Sequence, residues 1–539
     1  MFANYNTVTT PMSMAECSER PRSAAAREGL RVGSRSQPAH ATVPGMGVVV
    51  AIDAGTTGVR ALAVDERAAV VGIAYRELTQ HYPRPGWVEH DAGEIHRLTE
   101  ECLVELCDKL AADGQAVAAA GITNQRETAV AWDRRTGQPL HRAIVWQDRR
   151  TAGRCRELDN EGHLPLVRER TGLVLDSYFS ATKWEWMLRH GGVERGAALA
   201  LGTVDGWLAD RLTGRHATDV TNASRTLCLD IRDGSWSEEL CELFDLPRQA
   251  LGEVVPSSGR IGTIRPEVAG GRLAGVPLSG IAGDQQSALF GQRCLRPGQT
   301  KVTYGTGSFV LMSLGEHLPS PVEGLLTTVA GRLGEHAPLQ YALEGAVFSS
   351  GATIQWLRDG LGIISAAAEI GPLAESVPSS EGLVVVPAFV GLGSPWWDPE
   401  ARATVVGISR GVGRAHLARA VVEAMAFQTR DVVDAMVAGS GLAVTELRVD
   451  GGAAVMDLLL RLQADQCRVP VVRPETTEVT ALGAAMLAGL AEGVWALEDL
   501  DDLVRAELRV EPSASPARAD GDHRLWLEAL SRSRALRGS

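Results

Sequence analysis

An apolar run that ends in an acid and turns at once through glycine and threonine occurs early in the chain, and a related turn recurs far downstream. The first reads Val50-Ala51-Ile52-Asp53-Ala54-Gly55-Thr56-Thr57-Gly58-Val59-Arg60, the second Tyr304-Gly305-Thr306-Gly307-Ser308-Phe309. Such a turn suits a phosphate tail. Backbone N–H groups and hydroxyls donate to phosphate oxygens, a missing Cβ at Gly55 permits close approach, and Asp53 at the strand end can hold Mg²⁺ directly or through water. Taken alone, the first turn would also fit a ligand-free β-hairpin. Two such turns, one in each half of the chain, fit opposed clamps on one nucleotide.

The surrounding pattern supports two halves. Strands are expected at 48–52, 61–64, 117–122 and 128–132, and Ile95, Leu98, Cys102, Leu106 and Leu110 recur at the spacing of a helix packed on a sheet. A second series begins near Arg293. Strands at 301–304 and 309–312 flank the second turn, a long helix is expected over 416–438, and a strand at 447–449, the turn Asp450-Gly451-Gly452 and a helix over 455–467 follow. The fold class is α/β, one theme stated twice, with a ligand cleft between the halves. The domains expected are 46–293 and 294–510, after an extension at 1–45 and before a tail or helix at 511–539. The extension, rich in Ala, Ser, Arg and Pro, carries no sustained periodicity and is expected to be disordered, with Met46 an alternative start of translation. Gly483 and its small neighbours Ala481, Ala484 and Ala485 suit close helix packing near the crossing between halves, or an ordinary Ala-rich core helix.

Composition excludes several classes. The formal net charge of −13, with no basic stripe, argues against a nucleic-acid surface. No apolar run is long enough to span a bilayer, so no membrane insertion is expected. The eight cysteines form no C-x-x-C pair and read as reduced thiols of a cytoplasmic protein.

The choice of substrate turns on Gly121-Ile122-Thr123-Asn124-Gln125-Arg126-Glu127-Thr128, which sets an Arg beside a Glu after a strand. A small polyol offers only hydroxyls, each both donor and acceptor, and an Arg fork beside a carboxylate can satisfy one or two of them. Alone, the pair would also fit a surface ion pair. Together with Pro85-Gly86-Trp87-Val88-Glu89-His90, Ile144-Val145-Trp146-Gln147, residues 219–226, Gly280-Ile281-Ala282-Gly283-Asp284-Gln285-Gln286 and Leu343-Glu344-Gly345-Ala346-Val347-Phe348, it closely resembles the glycerol kinases of the FGGY carbohydrate kinase family. The resemblance runs from about residue 48 to 495. Two broader family signatures also match, residues 178–190 around Lys183 and Trp186, and 403–423 around Gly407 and His416.

The resemblance implies two actin-like (ribonuclease H-like) ATPase domains with the active site in the interdomain cleft, and ATP-dependent phosphorylation of glycerol to sn-glycerol 3-phosphate. It implies that Arg126, Glu127, Tyr178, Asp284 and Gln285 bind the glycerol hydroxyls while Trp146 and Phe309 cover its carbon side. It implies that Asp284 is the catalytic base, and that Asp53 and Asp284 hold the metal. Thr56, Thr57, Arg60, Thr306, Gly351, Gln355, Gly452 and Met456 would hold ATP. Asp284 would also suit the N-terminus of a following helix. Homo-oligomers, dimers or tetramers, are common among such enzymes, and no interface is readable here.

The chain departs from the family pattern at Ala54, where Gln is usual, at Gly58-Val59, which replace a polar pair, and at Met456, where Asn is usual. The loop 265–276 lacks the Gly-Thr-Arg of enzymes inhibited by fructose 1,6-bisphosphate, so that inhibition is not expected. Two other functions fit less well: an FGGY kinase for a ketose or longer polyol, and a non-catalytic actin-like switch.

Overall fold

The computed structural model describes residues 47–536; the extension expected at 1–45 lies outside the described residues. Two mixed sheets organise the chain. The first has the strand order Ser258–Thr263, Pro277–Gly283, Val117–Asn124, Val48–Ala54, Gly58–Val64, Val70–Glu77. The second runs Ala506–Val510, Val471–Pro474, Leu447–Asp450, Thr300–Tyr304, Ser308–Gly315, Gln340–Val347, Leu326–Gly331. In each sheet the strand leading into a phosphate-type turn pairs antiparallel with the strand that follows it and parallel with a later strand on its other side. That is the repeat expected from the two turns.

Strand Val48–Ala54 is apolar throughout its first five residues because both its faces are covered. Val48, Val50 and Ile52 pack with Ile95, Leu98, Cys102, Leu106 and Leu110 of helix Ala92–Ala112. Val49 and Ala51, on the other face, pack with Ala481, Leu482, Ala484 and Ala485 of helix Val479–Ala491. Period-two alternation therefore sends alternate residues to two helices, and neither set can be polar.

Helix Val479–Ala491 belongs to the second half of the sequence yet packs against the first sheet and helix Asp284–Gly291. Small residues make this possible. A Cβ on Gly483 would lie 1.9 Å from the Ser287 carbonyl oxygen, one on Gly121 2.3 Å from that of Ala484, and one on Gly291 2.1 Å from that of Val479. The first clash involves the helix that begins at Asp284. Gly483→Ala is expected to destabilise by about 1–3 kcal/mol, because backbone must move to admit the methyl group. A lowered thermal unfolding midpoint would show it. Gly153→Ala, where a Cβ meets nothing within 4 Å, should leave the midpoint nearly unchanged.

Most expected elements lie where the pattern puts them. The long helix spans Arg414–Ser440, two residues longer at each end than expected. The helix expected over 455–467 starts later, at Asp457, because Gly452–Val455 form a 3-10 turn and Met456 is extended (φ −83°, ψ 103°). The C-terminal segment contains helix Pro516–Ala535, which starts at the N-cap Ser515 with Pro516 in its first turn. This helix docks on the long one through Asp431, which accepts hydrogen bonds from His523 Nε2 at 2.7 Å and Trp526 Nε1 at 2.8 Å. Among the described residues, no helix is long and apolar enough to cross a membrane. The seven described cysteines are free, and six are buried.

Candidate active site

The first turn closes with Gly55 N–H donating to the Gly58 carbonyl at 3.0 Å. Its remaining carbonyls are held from one side. Gln80 Nε2 donates to the Thr56 carbonyl at 2.6 Å, Gln125 Nε2 to that of Gly55 at 3.0 Å, and the buried His90 ring bridges the two amides at 2.9 and 3.2 Å. Burial pushes His90 down to about 4, so the ring is neutral, accepting from Gln125 and donating to Gln80. With its carbonyls tied back, the turn can present N–H groups and hydroxyls outward. Thr57 is exposed, and the Thr56 hydroxyl accepts from Trp146 Nε1 at 2.9 Å. Tyr75 packs against Gly58, where a Cβ would fall 2.4 Å from its hydroxyl, so a larger residue there would turn the exposed Tyr75 ring aside. Arg60 is paired with Glu478 and lies 5.7 Å from the Tyr75 ring centroid.

Asp53 ends the central strand of the first sheet. Burial pushes its carboxyl up to about 7; Arg60 opposes that, and Asp284 and Glu478 reinforce it. An acid whose proton affinity is raised by burial and by a neighbouring carboxylate suits a divalent cation, which would relieve it. Among the described residues no three His, Cys, Asp or Glu side chains converge as a self-sufficient metal cage. Mg²⁺ typically takes one or two carboxylates and completes its shell with water and phosphate oxygens, so the residues fit it.

The second turn repeats the closure, with Gly305 N–H donating to the Gly307 carbonyl at 2.8 Å. Its exposed Thr306 and the short helix Gly351–Gln355 are brought together. The Thr306 carbonyl accepts from Ser350 and Ala352 N–H, both at 2.9 Å, and the Gly305 carbonyl accepts from Gly351 N–H at 3.0 Å. A Cβ on Gly351 would sit 2.5 Å from that same Gly305 oxygen. The buried hydroxyls of Ser350 and Thr353 have no partner among the described residues and are available to a polar ligand. Gln355 is exposed at the end of the helix. Gly451, at φ +88°, carries the chain against Tyr304, whereas a Cβ on Gly452 would meet nothing within 4 Å. Packing therefore does not demand glycine at 452. Met456 is half-buried beside Gly371.

Between the turns lies a buried group of charges. Four of the five Arg126 N–H donors are taken by protein: Nη1 by Glu344 at 2.6 Å and Gln286 at 3.1 Å, Nη2 by Glu344 at 3.1 Å and the Tyr178 hydroxyl at 3.2 Å. Only Nε remains, 3.3 Å from Asp284 Oδ1 and 3.7 Å from Glu127 Oε1. Arg225 pairs Nε with Glu127 at 2.7 Å and Nη2 with Glu344 at 2.9 Å. Burial pushes Glu344 up, but the two guanidinium groups outweigh it and hold the carboxyl at about 2.

The groups left over are those a polyol needs. Glu127 Oε2 has no hydrogen-bond partner among the described residues, the Tyr178 hydroxyl accepts from Arg126 and keeps its own proton to donate, and Gln285 has a free amide N–H₂ because Lys301 contacts its oxygen. Asp284 Oδ1 accepts from Gln285 N–H at 2.7 Å, and Oδ2 has no partner among the described residues. Asp284 is thus both the first residue of helix Asp284–Gly291 and an available base. Burial pushes its carboxyl up, and Arg126 and Lys301 draw it down. The Trp146 ring meets Tyr178 edge to face, centroids 5.7 Å apart. Phe309 is half-buried against the cluster of Leu289, Cys294, Leu311 and Ala342.

Family models match both halves: that of the FGGY carbohydrate kinases, N-terminal domain, over residues 48–291, and the C-terminal domain over 300–492. The chain belongs to the FGGY family of carbohydrate kinases. It is 52% identical over 90% of its length to a protein named glycerol kinase from Dechloromonas aromatica, of which it covers 97%. It is 51% identical over 91% of its length to one of the same name from Trichlorobacter lovleyi, of which it covers 99%. The crystal structure of Plasmodium falciparum glycerol kinase with ADP superposes with a TM-score of 0.86 at 32% identity, over 91% of this chain and 98% of that one. The fold is the two-domain, actin-like kinase fold expected.

In this FGGY kinase the fold brings Arg126, Glu127, Tyr178 and Asp284 into one contact group, Trp146 against both Thr56 and Tyr178, and Thr306 against Gly351. Arg60, expected to help hold ATP, is partly exposed and paired with Glu478. The Arg126 fork is likewise largely occupied, with one donor left rather than a whole face. Glu344, Arg225, Lys301 and His90 carry roles the sequence did not assign. Three of them lie inside matched segments, but nothing in the sequence pairs Glu344 with a residue 218 positions away.

Proposed function

We propose that this chain is an ATP-dependent glycerol kinase: the γ-phosphoryl group of ATP passes to a primary hydroxyl of glycerol, giving sn-glycerol 3-phosphate and ADP in the cytoplasm during glycerol catabolism. The observation that carries this reading is the small set of unspent polar groups around Arg126, namely Arg126 Nε, Glu127 Oε2, the Tyr178 hydroxyl, Gln285 N–H₂ and Asp284 Oδ2. They are bounded by the Trp146 ring. Three hydroxyls can be served there, and the aromatic wall covers a short carbon chain. The similarity to glycerol kinases over nine-tenths of the chain supports the same substrate, and the unpaired buried cysteines fit a reducing cytoplasm.

Asp284 accepts the proton from the attacking hydroxyl as its oxygen bonds to the γ-phosphorus and the bond to the ADP oxygen breaks. Gln285 N–H holds Asp284 Oδ1, which leaves Oδ2 to take that proton. The Thr56-Thr57 and Gly305-Thr306 turns face the phosphates from opposite sheets, with Gly351, Gln355, Gly452 and Met456 on the nucleoside side. Mg²⁺, which Asp53 and Asp284 would hold directly or through water, supplies charge neutralisation at the transferring phosphoryl group.

Release of ADP measured with glycerol, dihydroxyacetone, xylulose and gluconate tests the assignment. The expected result is a kcat/KM for glycerol above all others, since polar groups matched to three hydroxyls leave the extra hydroxyls of a longer chain unserved. A preference for a five- or six-carbon substrate would overturn it.

A further inference from the structure

We propose that Lys183 is a positioning residue for the acceptor site, tying the Glu127 and Tyr178 backbones together so that both side chains meet glycerol. The inference rests on the glycerol reading above. Lys183 is 1% exposed on helix Ala181–Arg189, and no carboxylate lies within ion-pair distance of it among the described residues. Its hydrogen bonds go to backbone carbonyls alone: those of Tyr178, of Phe179 at 3.2 Å and of Glu127 at 3.3 Å. An ammonium has three N–H donors, and all are spent this way. Burying a charge among carbonyl dipoles is costly, and a helix that needed only a core residue at 183 would carry Leu or Met.

The segments it joins are irregular ones that need holding. Glu127 lies between strands Val117–Asn124 and Val130–Asp133 and sits at φ +60°, a left-handed conformation that a side-chain-bearing residue keeps only when its surroundings enforce it. Its carbonyl is caught twice, by Lys183 and by the buried Ser180 hydroxyl at 3.1 Å. Tyr178 comes from the turn just before helix Ala181–Arg189, and its hydroxyl reaches back to Arg126, the neighbour of Glu127. One ammonium therefore fixes the distance between a donor and an acceptor that must clasp the same small molecule. Burial pushes the Lys183 ammonium down to about 8, while Glu127, Asp148 and Asp176 hold it up. The signature residue thus has a task at the acceptor end of the reaction, on the first half of the chain, and none at the nucleotide.

The test is steady-state kinetics of Lys183→Met and Lys183→Arg beside wild type, varying glycerol and ATP separately. Lys183→Met should raise the glycerol KM about ten-fold or more, with the ATP KM within about two-fold of wild type, because misplacement of acceptor groups by a fraction of an ångström acts on one substrate alone. Lys183→Arg, which keeps a cation and its donors, should recover part of the loss. A glycerol KM unchanged in folded Lys183→Met, or equal rises in both KM values, would overturn the proposal. If Lys183→Met does not fold, Ser180→Ala removes the other donor on the Glu127 carbonyl. It should raise the glycerol KM alone, and an unchanged value there also overturns the proposal. A wild-type enzyme without glycerol-dependent ADP release would instead defeat the functional reading itself.

Discussion

Asp284→Asn is expected to lower kcat about 10²–10⁴-fold, the range that loss of a general base produces, in a protein that still folds and binds ATP. The amide is nearly isosteric with the carboxylate. It can still accept from Gln285 N–H at Oδ1, so helix Asp284–Gly291 keeps its first turn. What disappears is the partnerless basic oxygen that takes the hydroxyl proton, and with it one negative charge beside Asp53. Asp53 carries a carboxyl pushed up to about 7, first by burial and in part by Asp284. The variant should therefore release Asp53 toward its ordinary range, and Asp53 with the two turns should still hold the nucleotide. Turnover and ATP affinity measured side by side check this. Near wild-type turnover in Asp284→Asn would show that another group takes the proton.

Glu344→Gln is expected to remove about 3–5 kcal/mol of stability, because breaking a buried charge pair strands its partners. Glu344 is 0% exposed, and it answers both Arg126 and Arg225 from the second sheet. Without its charge, two buried guanidinium groups share Glu127 and Asp284. The same change should raise the glycerol KM, because Arg126 loses the carboxylate that fixes its plane. Acid should expose the same energy. The folded carboxyl is held at about 2 against an ordinary 4.5, so its contribution is complete above about pH 4.5 and is lost as pH falls toward 2. Wild type should thus lose stability across that window more steeply than Glu344→Gln. Unfolding midpoints of the two proteins from pH 7 downward measure it, and parallel curves would show that the pair contributes little.

Much of this architecture was legible in the sequence, for identifiable reasons. Strand Val48–Ala54 and helix Ala92–Ala112 announce themselves because each packs along its whole length, so periodicity survives. The two turns are legible because few residue types can close them. The start of helix Asp457–Cys467 was not, since Ala453, Ala454 and Val455 suit a helix and only the Gly451 conformation and the extended Met456 delay it. In the site, Arg126 and Glu127 stand together in sequence and stay together in space. Glu344, Arg225 and Lys301 reach the same place from distant strands and loops, and local pattern carries no record of which buried charge meets which. Lys183 was visible as a matched residue, but its role depends on three carbonyl directions that only the folded backbone defines.

This site phosphorylates glycerol rather than merely hydrolysing or sensing ATP. Phosphorus NMR of a reaction containing enzyme, Mg²⁺, ATP and glycerol tests it directly, with the product then offered to a stereospecific sn-glycerol-3-phosphate dehydrogenase. The predicted result is one phosphomonoester formed for each ADP and fully consumed by that enzyme. ADP accompanied only by inorganic phosphate, or a phosphomonoester the dehydrogenase leaves untouched, would show that glycerol is not phosphorylated at its sn-3 hydroxyl here.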